Sequence, residues 1–244
     1  WPMRSFHPDS AAVSCSLSAV FYFRFYGKRL IMEIFTEGVP QTVQDMAALR
    51  DARREQQAQL FRLAEKDSGY RLGSSLSDGT PNQMQPVNKT VVMFSIVIPG
   101  PIKNNRFLEA VFYEGCRTFL DMLEQERPYM DEKPVGAGSV QTPLIVAHYE
   151  NRVPAGCTAF WLLNAHAETV KRQTVALERT HPIGILWDFD VFSAFEQKLS
   201  ASELGLPARP CLICGNPAKL CARSRTHSVP EMQATISKLI SGAY

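Results

Sequence analysis

The sequence lacks an apolar run long enough to cross a membrane near its start. The apolar stretch from Val13 to Tyr26 contains Arg24, whereas a spanning helix needs roughly 20 apolar residues. A signal peptide carries its positive charge before the apolar run, but Lys28 and Arg29 follow it here. We therefore expect residues 1–31 to be a non-native or loosely ordered leader, with Met32 as a natural start.

The chain also has little net charge and few cysteines. Its 26 Lys and Arg residues almost balance 24 Asp and Glu residues, for a net charge of +2. Such a balance argues against a general nucleic-acid or membrane-surface binder, so neither partner is predicted. Three of the six cysteines fall within eleven positions, unlike a disulfide scaffold. A reduced, cytoplasmic compartment is expected.

The 45% hydrophobic content is that of a globular protein. Apolar periodicity and turn residues predict four helices and four strands. The predicted helices cover 42–63, 104 or 105 to about 126, 165–179 and 230–240, and the predicted strands cover 90–98, 143–149, 157–163 and 186–192. Their irregular alternation favours an α+β fold with a single mixed sheet and flanking helices. We expect one catalytic domain over 32–244, with a mobile loop at about 64–88 and a Cys-rich segment at 207–227.

Two acids on the last strand form the sharpest local pattern. Side chains alternate between the faces of a strand, so Asp188 and Asp190 point the same way, roughly 7 Å apart at their Cα atoms. Trp187, Phe189 and Val191 then point into a core. Mg²⁺ suits a pair of carboxylates, often together with substrate phosphates. The alternative is two exposed acids on an edge strand.

Basic residues occur at several places where they could meet an anion. Lys103 follows a Pro-Gly-Pro turn beside a helix start, which is a setting for a phosphate; an incidental surface lysine is the alternative. Arg179 and His181 precede the acid strand. Arg50 and Arg53 lie in the first helix, where a solvated face is the simpler interpretation. Further basic residues surround the cysteines: Arg209, Lys219, Arg223 and Arg225. An anionic substrate or an acidic partner would suit them, and a solvated basic segment is the alternative.

The clustered cysteines are a candidate metal site. Cys211, Cys214, Cys221 and His227 have the spacing C-x2-C-x6-C-x5-H. Three thiolates and one imidazole match a structural Zn²⁺ site in type and number. The spacing is not that of common zinc fingers, so thiols that simply pack in a loop remain the alternative.

Three stretches together resemble the citrate lyase holo-acyl-carrier-protein synthase family, which is also called the apo-citrate lyase phosphoribosyl-dephospho-CoA transferase family. The stretches are VIPGPIK (97–103), HPIGILWDFDV (181–191) and CLICGNPAKLCARSRTH (211–227). The Arg-rich helix around Arg50, Asp51, Arg53 and Gln57 resembles the family's N-terminal helix. Ile185 is a departure, since the family stretch has an arginine after the glycine.

The resemblance implies a nucleotidyltransferase-like fold and a reaction. Such an enzyme transfers phosphoribosyl-dephospho-CoA from 2'-(5''-triphosphoribosyl)-3'-dephospho-CoA to a serine of the citrate lyase acyl carrier subunit, and pyrophosphate is released. The implied site includes Mg²⁺ on Asp188 and Asp190, one of which can take the serine proton, and His181 as a further catalytic residue. The implied phosphate contacts also include Lys103, Arg50, Arg53, Arg179 and Arg223. Three alternatives stay open. The first is the same transfer to another carrier, as in malonate decarboxylase, and the second is a non-catalytic zinc-ribbon-like interaction module. The third is a degenerate, inactive family member, because Ile185 replaces a cation that could bind phosphate.

Overall fold

The computed structural model describes residues 33–68, 89–130, 144–193 and 197–243. This part of the chain forms five helices: α1 (Val43–Ser68), α2 (Arg106–Met130), α3 (Ala167–Thr180), α4 (Ala218–Ser224) and α5 (Val229–Ala243). It forms four strands: β1 (Lys89–Ile96), β2 (Ile145–Val153), β3 (Gly156–Asn164) and β4 (Trp187–Ser193). In the described ranges, no helix combines the length and apolar character that crossing a bilayer requires.

Most predicted elements are present with shifted ends. The predicted leader, 1–31, and most of the predicted loop, at 69–88, lie outside the described residues. Residues 64–68 are still helical, so α1 continues five residues beyond its predicted end. The short helix α4, inside the Cys-rich segment, was not predicted. Apolar periodicity could not reveal it, because none of its residues is buried.

The four strands form one sheet in the order β2-β3-β1-β4, which confirms an α+β fold with a single sheet. Every pairing in it is antiparallel, so the described sheet differs from a mixed one. A two-residue turn, Pro154–Ala155, joins β2 to β3 and requires opposite directions. The helix α3 links β3 to β4, which run in the same direction, but β1 lies between them and pairs antiparallel with both.

One face of the sheet carries the main core. Phe94 of β1 stacks on Phe189 of β4, with ring centroids 4.3 Å apart. The predicted apolar face of α2 covers these rings, and its central residues are fully buried: Leu108, Val111, Phe112 and Phe119. The spacing of about 3.6 residues therefore identified the helix face correctly.

The opposite face carries a smaller core under the C-terminal half of α1. Leu60 and Phe61 of α1 pack there with Val91, Phe160 and Phe192 of three different strands. The N-terminal half of the same helix passes over the part of this face where polar side chains replace the apolar ones. The sheet thus lies between α1 on one face and α2 on the other.

The outer edge of β4 is covered by side chains and by the returning chain. Glu178 of α3 accepts a hydrogen bond from the Phe189 N–H at 2.8 Å, and Lys171 donates to the Phe189 carbonyl at 2.8 Å. Further along, the Leu199 N–H donates to the Val191 carbonyl at 2.9 Å. Backbone N–H and C=O groups that are hydrogen-bonded in this way are not available for pairing with another strand.

The turn after β1 fits closely against α5. Gly100 has φ +85°, and a Cβ there would lie 2.6 Å from Nε2 of Gln233. Gln233 in turn donates to the Pro99 carbonyl at 3.2 Å. Both the left-handed conformation and the close approach require glycine at this position.

Candidate functional site

Asp188 and Asp190, called the acid pair below, lie on the α1 face of the sheet. The strand alternates as predicted: Trp187, Phe189 and Val191 are buried in the main core, and the two acids are on the other face. The Asp188 side chain is 40% exposed and that of Asp190 is 16% exposed. The acid pair is therefore a partly covered feature of an edge strand.

Each member of the acid pair holds a cation from the chain that follows β4. Nη2 of Arg209 lies 3.1 Å from Oδ1 of Asp188, and Nζ of Lys198 lies 2.6 Å from Oδ1 of Asp190. These two cations offset the repulsion expected between neighbouring carboxylates.

Glu178 fixes the position of Arg209. Its Oε2 lies 3.0 Å from Nη2 of Arg209, and its Oε1 is held by the Phe189 N–H. Burial raises the pKa of Glu178, although Arg209 opposes this shift. Arg209 also donates to the Trp187 carbonyl. Its guanidinium thus joins α3, the strand edge and Asp188.

Arg53 approaches the acid pair from α1. Its Nε donates to Oγ1 of Thr158 at 2.8 Å, and Thr158 pairs with Ser95, the residue that faces Asp188 across β1 and β4. Burial lowers the pKa of Arg53, whereas the charges of Asp188 and Asp190 raise it. The structure therefore brings one arginine of the predicted Arg-rich helix over the polar part of the sheet face, which contains Thr158, Ser95 and Asp188.

The three stretches that carry the family resemblance meet at one cavity of about 630 Å³. Val97 and Pro99 line it from the first stretch, and Ile185 lines it from the second. Cys221 and His227 line it from the third. Arg209 also lines this cavity and contacts Asp188, so the cavity and the acid pair share a residue.

His181 is placed beside α2. Its ring stacks on Trp187 with centroids 4.3 Å apart, and its Nε2 lies 3.6 Å from Oε1 of Glu114. Burial lowers the pKa of His181. Because Trp187 and Asp188 point to opposite faces, these contacts lie across the sheet from the acid pair. A catalytic role for His181 stays a prediction.

The other predicted anion contacts are dispersed. Lys103 is half-buried and donates to the Ile98 carbonyl at 2.6 Å, so it closes the Pro-Gly-Pro turn. Arg50 is exposed and lies 3.5 Å from Asp51. Arg179 and Arg223 are exposed in the last turns of α3 and α4. Phosphate contacts by these residues stay predictions.

The predicted metal ligands come together. The ligand atoms of Cys211, Cys214, Cys221 and His227 all lie within 4.8 Å of one another. Two sulfurs, of Cys214 and Cys221, are 3.4 Å apart, and Nε2 of His227 is 3.3 Å from Sγ of Cys214. We call these four residues the Cys/His cluster.

Sequence reasoning did not connect the residues that hold the acid pair in place with that pair. It named Arg209 only among the basic residues around the cysteines. Lys171 and Glu178 lie seven positions apart, on the face of α3 that also contains the buried Thr174. Charged residues on the inward face of an amphipathic helix are the signal that could have found them. Lys198 and Arg209 have no such signal, because they follow β4 in irregular chain.

The comparisons with known proteins place the chain among transferases. The family model described as apo-citrate lyase phosphoribosyl-dephospho-CoA transferase matches residues 80–243. The chain belongs to this family. The match contains all three motif stretches and begins after Arg50 and Arg53.

Curated relatives carry the same description. The relative from Citrobacter koseri is 30% identical over 153 residues, which are 63% of this chain and 75% of the relative. Relatives from Escherichia coli O139:H28 and Shigella boydii serotype 18 are each 30% identical over 151 residues, or 62% of this chain and 74% of each relative. All three are named apo-citrate lyase phosphoribosyl-dephospho-CoA transferase.

Proposed function

We propose that this protein transfers phosphoribosyl-dephospho-CoA from 2'-(5''-triphosphoribosyl)-3'-dephospho-CoA to a serine of the apo acyl carrier subunit of citrate lyase and releases pyrophosphate. Membership of the family and the names of the relatives support this reaction. The structural observation that carries the proposal is the position of Arg209, which lines the cavity and also contacts Asp188. The donor has an apolar part and a triphosphate, so it needs a largely apolar cavity directly beside a charged site.

The cavity suits the less charged part of the donor. Its wall includes Val97, Ile185, Leu212 and Met232, and ligand pockets combine such apolar walls with a few polar groups. We assign the nucleotide and pantetheine portions of the donor to this cavity. Ile185 makes its wall more apolar than the arginine in the family stretch would.

The cations beside the cavity suit the triphosphate. Arg209 and Lys198 each hold one carboxylate of the acid pair, and Arg53 carries a third positive charge nearby. Guanidinium groups bind phosphate oxygens through paired N–H donors, and ammonium groups bind them as point charges. We assign these three cations to the phosphates of the donor.

The transfer itself is a substitution at phosphorus. The serine Oγ forms a bond to the phosphorus nearest the ribose, and the bond from that phosphorus to the pyrophosphate oxygen breaks. Pyrophosphate leaves with the electron pair of the broken bond, and the proton of the serine passes to a base. A carboxylate of the acid pair can accept this proton.

The chemistry of the acid pair fits Mg²⁺, and we propose that Asp188 and Asp190 hold it. Two carboxylates on one strand face are hard oxygen donors of the type that Mg²⁺ prefers. The ion pairs of the structure engage Oδ1 of each carboxylate, and the same cations can pair with phosphate oxygens instead. When bound, the ion would neutralise charge that develops on the phosphate oxygens.

The direct test is to incubate the full chain with donor, Mg²⁺ and apo citrate lyase carrier, and then to weigh the carrier. We expect a mass increase equal to the prosthetic group and one pyrophosphate for each carrier modified. A carrier whose acceptor serine is replaced by alanine is the control and should stay unmodified. Modification of an apo malonate decarboxylase carrier alone would contradict the choice of acceptor, and absence of pyrophosphate with both carriers would contradict the reaction.

A further inference from the structure

We propose that the Cys/His cluster binds one Zn²⁺ ion, and that this ion holds the Cys-rich segment in place. The four ligand atoms come from three separate local structures: a turn with Cys211 and Cys214, the helix α4 with Cys221, and the chain before α5 with His227. Folding brings them within 4.8 Å of one another. This proposal is independent of the proposed transfer reaction.

The distances in the cluster are close to those of a tetrahedral zinc site. With Zn–S and Zn–N bonds of about 2.3 and 2.1 Å, three sulfurs and one nitrogen at the corners of a tetrahedron are roughly 3.6–3.8 Å apart. The sulfurs of Cys214 and Cys221 are 3.4 Å apart, and Nε2 of His227 is 3.3 Å from the Cys214 sulfur. Small adjustments of side chains would complete the site.

The backbone around Cys211 shapes the turn that presents two of the thiols. Gly215 follows with φ +73°, and its N–H donates to the Cys211 carbonyl at 3.2 Å. The Ala218 N–H donates to the Arg209 carbonyl at 2.9 Å, which closes the turn.

The segment has few apolar anchors, so a metal would supply much of its rigidity. Ile213 is 38% exposed and Leu220 is 57% exposed, and none of the residues of α4 is buried. Small units that cannot bury a sufficient core are commonly stabilised by a metal. Cys211 lies two residues after Arg209, so a fixed cluster would also fix the arginine that contacts Asp188.

Metal analysis of the purified full chain tests the binding site. We expect about one zinc per chain. After replacement by Co²⁺, we expect the absorption bands of tetrahedral cobalt with thiolate ligands. The Cys214→Ser and Cys221→Ser variants should lose these bands and most of the zinc, whereas Cys116→Ser, outside the cluster, should keep both. Zinc that remains in the double variant Cys214→Ser/Cys221→Ser would overturn the proposal.

Limited proteolysis provides a measurement that does not require any variant to fold. Lys219, Arg223 and Arg225 are exposed in this segment, so trypsin can report its rigidity. We expect removal of zinc with a chelator to accelerate cleavage after these residues by at least tenfold and added Zn²⁺ to restore protection. Equal cleavage rates with and without metal would overturn the stabilising role. A disulfide between Cys214 and Cys221 in freshly purified, metal-free protein would overturn the zinc site itself.

Discussion

Arg209 lies 3.1 Å from Asp188, measured from Nη2 to Oδ1, although 20 residues separate the two along the sequence. The same nitrogen lies 3.0 Å from Oε2 of Glu178. One guanidinium therefore connects the outer edge of the sheet, α3 and the acid pair. Its position makes it the residue on which the architecture of the candidate site most depends.

Replacing Arg209 should reveal coupling with Glu178. We expect Arg209→Met to lower the free energy of unfolding by about 2 kcal/mol, because Glu178 would be left as a largely buried charge without its partner. Glu178→Gln added to this variant should recover at least half of the loss. Urea unfolding of both single variants and the double variant measures the coupling. Strictly additive effects would contradict a direct interaction.

Neutralising the acid pair should abolish most activity but leave the fold intact. We expect Asp188→Asn and Asp190→Asn each to lower kcat by about 100-fold or more, since a preorganised charge at the reacting phosphate would be lost. Pyrophosphate release measures the rate, and circular dichroism checks the fold. Asp121→Asn, on the exposed side of α2, is the matched control. Full activity in Asp188→Ala/Asp190→Ala would refute the proposed mechanism.

Arg53 and its neighbour Arg54 provide a matched pair. Arg53 is partly buried and donates to Thr158, whereas Arg54 is exposed on the same helix. We expect Arg53→Met to lower kcat/KM for the donor by roughly tenfold to a hundredfold, as for loss of one charged phosphate contact. Arg54→Met should change it less than about twofold, since exposed charges contribute little. If both changes lowered kcat/KM similarly, the effect would come from the overall positive charge of α1 and not from a specific contact of Arg53 with the donor.

His181 should make stability depend on pH. Its pKa is lowered from 6.5, first by burial and against the influence of Glu114, so the unfolded chain binds a proton more readily than the folded chain. The free energy of unfolding should therefore fall as the pH drops below 6.5. His181→Phe keeps an aromatic ring on Trp187 but cannot titrate. We expect a smaller decrease in the variant between about pH 7.5 and about pH 5.5, measured by urea unfolding; equal decreases would contradict the assignment.

Two helical glycines should respond to alanine in opposite directions. A Cβ at Gly115 would lie 2.2 Å from Cζ of Phe94, so Gly115→Ala should destabilise the fold by about 1–3 kcal/mol through overpacking. Among the described residues, no heavy atom beyond its chain neighbours and the surrounding helix backbone lies within 4 Å of a Cβ at Gly242, so Gly242→Ala should stabilise α5 by about 0.5 kcal/mol. Thermal melting of both variants measures the two shifts. A neutral Gly115→Ala would show that α2 can move away from the sheet.

The sequence was a reliable guide wherever the signal is local. Alternation along a strand placed Asp188 and Asp190 on one face, and the helical period identified the buried face of α2 around Phe112. The cysteine spacing correctly grouped four candidate ligands. Each of these inferences depends on geometry within one element or one short segment, which the order of residues determines directly.

Relations between distant segments could not be predicted in this way. His181 is seven residues before Asp188 in the sequence, yet it stacks on Trp187 and contacts α2 across the sheet. Neighbouring residues of a strand point to opposite faces, so closeness in sequence here means separation in space. Conversely, Arg53 is far from β4 in the sequence but lies near the acid pair, because α1 crosses that face.

By itself the sequence determined the four described strands, four of the five described helices, the orientation of the acid pair and the membership of a family, since these follow from local periodicity and from motifs. Only the tertiary structure decided what surrounds the acids: Arg209, Lys198 and Glu178 occupy their positions because α3 and the chain after β4 cover the exposed edge of the sheet. That edge has unpaired backbone groups, and satisfying them brings charged side chains to one place. No pattern in the linear sequence encodes this convergence.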